Sequence, residues 1–211
     1  MSRLVPDLHT LRTQRLLLRV IGEQAASDVL DYYRRNRLFH QPWFPARPEG
    51  VFTLRQQQLN LAAEKEDFLA GRALPLWLSL RENPERIIGR LAFTQIVHGS
   101  LKSAFLAWHL DQGQVGRGLA TEAGQAGIRS IFQDFGLHRV EADILAENVR
   151  SIALARRLGF ELEGVAPRFL QINGRWQDHQ RYVLLADGPL WPADRQTAFS
   201  AGASPAGSGK P

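Results

Sequence analysis

The chain has 211 residues, 44% of them hydrophobic, enough for one sizeable core and short for two. It contains no Cys, which excludes a disulfide framework, a thiolate zinc site and a cysteine nucleophile. The formal charge of +5 comes almost wholly from Arg; it favours encounter with nucleic acid, anionic cofactors or RNA-rich particles without selecting among them.

Residues 1–19 carry Arg3, Arg12, Arg15 and Arg19 and no apolar run of signal-peptide length, and nowhere do about 18 apolar residues follow one another, so a cytoplasmic protein off the membrane is expected. Residues 15–20 (RLLLRV) read as a strand, and residues 23–36 as a helix with Ala25, Val29, Leu30 and Tyr33 at helical spacing. Residues 40–48 (HQPWFPARP) combine three prolines with Trp43 and Phe44, which predicts an extended loop displaying large aromatics. A second helix is expected over residues 54–69 through Leu54, Leu59, Leu61 and Phe68.

Residues 76–80 and 87–94 are strand-length apolar runs around a turn at Glu82, Asn83, Pro84 and Glu85, and residues 103–110 (SAFLAWHL) read as a third strand. Residues 118–135 return to helical spacing, 140–144 look like a buried strand, and 151–158 form a short helix stopped by Gly159. Residues 161–172 and 176–185 are two strands about an Asn173-Gly174 turn. The whole is a mixed α/β sheet: a single domain over residues 1–192, with a Gly, Ser, Ala and Pro-rich tail at 193–211 that buries too little apolar surface to order itself. The six His are scattered without paired ligand spacing, so no metal is expected.

Residues 112–121 (QGQVGRGLAT) put Gly113, Gly116 and Gly118 between a strand and a helix, where backbone N–H groups and the positive end of the helix dipole converge as an anion such as pyrophosphate requires. An ordinary loop has the same composition. The Gly-Lys-Ser/Thr ending of a P-loop and the GxGxxG spacing of a dinucleotide site are both absent. Downstream, residues 148–160 (NVRSIALARRLGF) open a short helix on Asn148 and Ser151 and close it on Gly159 and Phe160.

This pairing of a GRGLA loop with the later Asn-Ser helix resembles the GNAT acetyltransferases. Within them it is most similar to the ribosomal-protein-alanine N-acetyltransferases of the RimJ/RimL group, the RimJ branch nearest. The resemblance is carried by residues 32–45 (YYRRNRLFHQPWFP), 87–89, 97–100 (VHGS), 116–119, 148–160 and 173–179 (NGRWQDH), and covers roughly residues 12–185. It implies a mixed, mostly antiparallel twisted sheet flanked by helices, with acetyl-CoA in the splay between the two central strands.

By that resemblance the backbone of Val115, Gly116, Arg117, Gly118, Leu119 and Ala120 holds the CoA pyrophosphate, Val115 standing where the family has Gln or Arg, and the strand ending at Leu110 pairs with the pantetheine amides. Asn148 then bonds the pantetheine arm, and Ser151 is the candidate general acid that protonates the departing thiolate once an amine has attacked the thioester. Both residues are also good helix N-caps. The amine's proton has four candidate acceptors, Glu141, Glu163, Asp178 and His179, any of which can instead be structural. Trp43 and Phe44, with Asp178 and His179, are candidates for the acceptor cleft, as is the turn at His98, Gly99 and Ser100; Glu122 either complements the helix dipole or fixes the loop.

The expected reaction is acetyl transfer from acetyl-CoA to a primary amine, first the N-terminal amine of a ribosomal protein. Polyamines, aminoglycosides and amino-acid-like antibiotics remain alternatives because fold does not fix substrate. A third reading is a non-catalytic, ribosome- or RNA-associated acetyl-CoA-binding protein; sequence-specific nucleic-acid binding is not expected.

Overall fold

The computed structural model describes residues 8–188; the tail at 193–211 and the last residues of the expected domain lie outside the described residues. Strands β1 (His9–Arg12), β2 (Leu16–Val20), β3 (Leu74–Leu80), β4 (Asn83–Val97), β5 (Ser103–Leu110), β6 (Arg139–Leu145), β7 (Glu161–Ile172) and β8 (Arg175–Leu185) form one sheet in the order β1-β2-β3-β4-β5-β6-β8-β7. Every neighbouring pair is antiparallel except β5 and β6, which run parallel. Parallel neighbours need a crossover instead of a hairpin, and the helix α4 (Leu119–Gln133) supplies it.

Helices cover both faces. On one, α4 and α5 (Val149–Leu158) close the main core, where Leu74, Leu76, Leu91, Phe93, Ala104 and Leu106 of the sheet meet Leu119, Ile128, Ile131, Ala155 and Leu158. Each such Leu, Ile or Phe, fully buried, contributes about 1.5–3 kcal/mol. On the other face, α1 (Ala26–Arg35) and α3 (Leu54–Leu69) pack Val29, Tyr32 and Leu61 against Trp77 and Ile87. The short helix α2 (Arg37–His40) follows α1 directly.

Four expectations are corrected. Strand β1 was not foreseen: four residues, mostly polar, give no pattern until they pair with β2. The turn is at Arg81 and Glu82, and Asn83, Pro84 and Glu85 already belong to β4, because Leu80 pairs with Asn83 while Ser79 pairs with Ile87 and the residues between bulge out. The Pro-rich segment is an extended loop only over residues 44–48: its start continues from α2 into a one-turn 3-10 helix at Gln41–Trp43, where Pro42 is pre-set for the first turn, and a second one follows at Glu49–Phe52. Helix α3 is where expected but rotated. Leu54 and Leu59 are exposed, and its inward stripe is the buried Gln57 and Leu61 with the half-buried Glu64 and Phe68, Gln57 Nε2 donating to Val51 O and Glu64 receiving Trp77 Nε1 at 2.8 Å and Arg90 at 2.7 Å. No helix among the described residues is long and apolar enough to cross a membrane.

Candidate functional site

The parallel pair is where the sheet opens. Strands β5 and β6 stay in register for Ser103 with Arg139, Ala104 with Val140 and Phe105 with Glu141, and then part. From Leu106 to Leu110 the β5 edge facing β6 has no ladder partner among the described residues, and backbone N–H and C=O groups without partners need a ligand or water. A cavity of about 1040 Å³ fills this gap and reaches both faces of the sheet.

On the α4–α5 face the cavity is walled by Leu110, Val115, Gly116, Gly118, Leu119, Ala120, Asn148 and Ser151. Gly116 has φ of 76° and Gly118 of 75°, left-handed conformations that turn successive amides inward, and Gly118 is the N-cap of α4. An added Cβ at Gly116 would meet nothing within 4 Å and one at Gly118 only Arg15 Nη2 at 3.5 Å, so the backbone here borders open space of the kind a pyrophosphate needs. Arg117 does not join the wall. Its guanidinium donates to Gln114 Oε1 at 2.6 Å and it borders a smaller recess with Arg15 and Arg81.

Two clamps set the loop. At its start, Asp111 bonds Arg35 Nε at 2.7 Å and the Gly113 N–H at 3.0 Å, while Asn36 Oδ1 accepts the Gln112 N–H at 2.9 Å. Burial pushes the Asp111 carboxyl up, yet the bonds from Arg35 and Gly113, the Arg35 charge and the contact with Asn36 hold it below the usual carboxylate value. At its end, Glu122 accepts Thr13 Oγ1 at 2.6 Å and Arg15 Nε at 2.7 Å, and Arg15 Nη1 donates to Arg117 O at 2.9 Å. Glu122 therefore fixes the loop through Arg15; burial raises its pKa, and the Thr13 and Arg15 bonds more than offset this.

Of Asn148 and Ser151, the first is the side-chain cap of α5. Asn148 Oδ1 caps α5 by accepting the Ser151 N–H at 3.2 Å, which leaves its Nδ2 for a ligand; the Ser151 hydroxyl has no hydrogen bond to a described residue and lies on the cavity wall.

On the opposite face the wall is aromatic and imidazole: Phe39, His40, Trp43, Phe44, His109, Leu170 and His179. Of the four candidate proton acceptors only His179 is here, its Nδ1 3.0 Å from Gln177 O, a contact that makes Nδ1 the N–H and leaves the lone pair on Nε2. Glu141 is held by Arg139 at 2.9 Å and Arg181 at 3.4 Å, and Glu163 by Arg139 at 2.7 Å. Asp178 is exposed and off the wall; its carboxylate receives the N–H of Arg168, a residue at φ of 47° in the β7 bulge, at 2.7 Å. His98, Gly99 and Ser100 stay at the exposed β4–β5 turn, with His98 Nε2 3.3 Å from Gly71 O.

Sequence reasoning missed His40 and His109. His40 Nε2 donates to Leu110 O at 2.8 Å, and His109 Nδ1 lies 2.6 Å from the Tyr32 hydroxyl, its ring stacked on Tyr32 and met edge-on by Phe44. Burial above all, then the neighbouring His40, Arg90 and Arg47, pushes the His109 pKa well below the ordinary histidine value; burial likewise lowers that of His40 against an opposing bond to Leu110 O. Both are depressed in the folded state. The unfolded chain thus takes up more protons as pH falls below about 6.5, and stability is lost from there down through the folded pKa values, by up to about 1.4 kcal/mol per pH unit for each histidine. Urea unfolding compared at about pH 7 and about pH 5.5 should show this loss, and His109→Asn should remove His109's share of it.

Residues 15–161 match the family model for the acetyltransferase (GNAT) domain. The [ribosomal protein uS5]-alanine N-acetyltransferase of Escherichia coli (strain K12) is 37% identical over 185 residues, covering 88% of this chain and 94% of that protein. Among solved structures, the ribosomal-protein-S5-alanine acetyltransferase from Vibrio fischeri superposes with a TM-score of 0.81 at 26% identity, over 85% of this chain and 97% of that one. Mycobacterium smegmatis RimJ in complex with CoA-disulfide does so with a TM-score of 0.78 at 25% identity, over 86% and 88%.

Proposed function

The chain belongs to the GNAT acetyltransferase family, and on that premise we propose that it moves the acetyl group of acetyl-CoA to the N-terminal α-amine, of Ala or Ser, of a ribosomal protein in the cytoplasm. The observation that carries the choice of acceptor is the charge of the cavity. Among the described residues its only carboxylates are Glu122 and Asp143, the first bonded to Arg15 at 2.7 Å and the second to Arg181 at 2.9 Å. A polyamine or aminoglycoside would bring several ammonium groups to a cleft with no carboxylate to spare, whereas a peptide end brings one. The basic chain also suits approach to a ribosome.

The chemistry follows from the two walls. Amides of residues 115–120 and the N-terminus of α4 hold pyrophosphate, the open β5 edge and Asn148 Nδ2 receive the amides of the pantetheine arm, and the acyl group then lies in the gap. The incoming ammonium gives one proton to His179 Nε2 and becomes a nucleophile, and the Ser151 hydroxyl donates to the sulfur as the C–S bond breaks.

The test is free-thiol release from acetyl-CoA with peptides beginning in Ala or Ser, ribosomal-protein fractions, polyamines and aminoglycosides in parallel. Turnover confined to a small amine would overturn the acceptor and leave the family membership standing. Ser151→Ala should lower kcat by about 10²-fold, the lower end of what a positioned acid contributes, with acetyl-CoA affinity and melting temperature unchanged because Asn148 does the capping. Unchanged turnover would end the acid role.

A further inference from the structure

Acetylation of an ammonium removes two protons from nitrogen, one before it attacks and one after. We propose that His109 accepts the second proton, through Nε2, and that Tyr32 is the residue that positions it. This rests on the acetyl-transfer reading above.

Four observations carry it. First, position: Ala104 and Leu106 of β5 enter the core beneath α4, so His109 projects from the other face, as His179 does on β8, where Tyr182 and Leu184 enter that same core. His109 is four residues past Phe105, Leu145 is four past its partner Glu141, and Leu145 pairs with His179. The two imidazoles therefore stand at one height on opposite arms of the gap. Second, access: His109 is on the cavity wall, its Nδ1 is taken by Tyr32 at 2.6 Å, and its Nε2 is bonded to no described residue and is absent from the enclosed polar atoms left without a partner. Nε2 opens on the cavity. Third, exclusion of its neighbour: His40 spends Nε2 on Leu110 O, and its Nδ1 is enclosed with no partner among the described residues, so of the two adjacent rings His109 is the one that can trade a proton with the cavity.

Fourth, basicity. The groups facing His109 are Tyr32 and Tyr33 from α1, His40 from α2, Arg47 from the Pro-rich segment and Arg90 from β4, with Asp111 beyond Tyr32; burial and these positive neighbours keep the ring neutral. So weak a base would not strip an ordinary ammonium. After attack, however, the nitrogen is a cation bonded to the tetrahedral acetyl carbon, and its remaining N–H is far more acidic. The balance is then complete. The nitrogen lone pair forms the N–C bond and the carbonyl π pair moves to oxygen; His109 Nε2 takes a proton from nitrogen; the carbonyl re-forms as the C–S pair leaves with sulfur, which is protonated from Ser151. Of the two protons released by nitrogen, one restores the Ser151 hydroxyl, whose own proton now sits on sulfur, and the other reaches solvent. With Nε2 as acceptor, Nδ1 carries the hydrogen and donates to the Tyr32 oxygen, an interaction that strengthens as the imidazolium forms.

The experiment measures kcat, KM and their pH profiles for the full chain with an Ala- or Ser-initiated peptide, alongside the acetyl-CoA Kd by calorimetry and the melting temperature. His109→Gln should lower kcat by about 100-fold with the acetyl-CoA Kd within about threefold of wild type. Tyr32→Phe, isosteric and less at risk of misfolding, should lower kcat by about 5- to 10-fold and move the acid limb of kcat/KM to lower pH, since the imidazolium loses its oxygen partner. An active wild type with an equally active His109→Gln overturns the assignment alone, as does an unmoved acid limb in Tyr32→Phe, or a kcat loss in step with weakened acetyl-CoA binding and a lowered melting temperature. Silence of the wild type towards every peptide overturns the acceptor reading and this inference with it.

Discussion

Gly118→Glu is expected to abolish acetyl-CoA binding while the protein stays folded. Gly118 sits at φ of 75° as the N-cap of α4, in the middle of the amides that face the cavity, and a Cβ there has room, its nearest neighbour being Arg15 Nη2 at 3.5 Å. The backbone cost of a side chain in this conformation is about 1–2 kcal/mol, which a domain of this size withstands. The carboxylate is decisive. It extends into the place where the pyrophosphate would lie, takes up the helix N-terminal dipole and the Arg15 guanidinium, and repels the phosphates at close range. Calorimetry should show Kd weakened by more than about 100-fold, equivalent to about 3 kcal/mol. Gly118→Ala separates the causes: it carries the same backbone strain without the charge and should weaken binding by about 10-fold or less. Equal losses in the two variants would mean that conformation, not anion binding, is the role of Gly118.

The largest loss of stability is expected from Gly127→Val. This glycine lies on the face of α4 against the sheet, where a Cβ would run into Leu91 Cδ2 and stand 3.0 Å from Phe93 Cε2, both side chains buried in the main core. One turn earlier, a Cβ at Gly124 would lie 2.7 Å from Leu158 of α5. These two glycines let α4 lie close to β4 and α5, and that closeness brings its N-terminus to the mouth of the splay. Valine adds a branch where even one carbon does not fit, and the helix must lift. Overpacking of this kind costs about 3 kcal/mol or more, a fall of about 6–12 °C in Tm for a chain of this length. Ala, which gains about 1 kcal/mol of helix propensity, should lose less. A Tm for Gly127→Val within about 2 °C of wild type would show that the sheet beneath α4 yields more readily than packed cores do.

What the sequence made legible was local. The Gly loop, the cap of α5 and the Asn173-Gly174 turn, with φ values of 48° and 80°, each declare themselves within a few residues, because the conformation is demanded by the residues that adopt it. The stripe of α3 escaped because Gln57 is polar yet buried and Glu64 polar yet half-buried, and only their partners Val51 and Trp77 with Arg90 make that tolerable. His109 escaped for the same reason. In the run SAFLAWHL it looks like a lapse in an apolar strand, and Tyr32, the residue that gives it a role, is 77 positions away. Asp178 and His179 are neighbours in one sequence motif, yet strand alternation sends them to opposite sides, one to solvent at the β7 bulge and one to the cavity.

The brief parallel contact between β5 and β6 has a consequence for how the molecule holds together. Three residue pairs are all that join the five-stranded N-terminal meander to the three-stranded C-terminal unit within the sheet, and the rest of that seam is open. A long ligand lying along both open edges would act as a removable ninth strand, adding a second tie between halves that otherwise meet through the core beneath α4 and α5. Binding free energy would then be spread over the whole sheet as cooperativity of unfolding, growing with ligand concentration as mass action requires. Emptied, the halves keep the core they share beneath α4 and α5 but lose the tie along the open edges, so a chain cut between α4 and β6 would give fragments whose reassembly tightens with the cofactor.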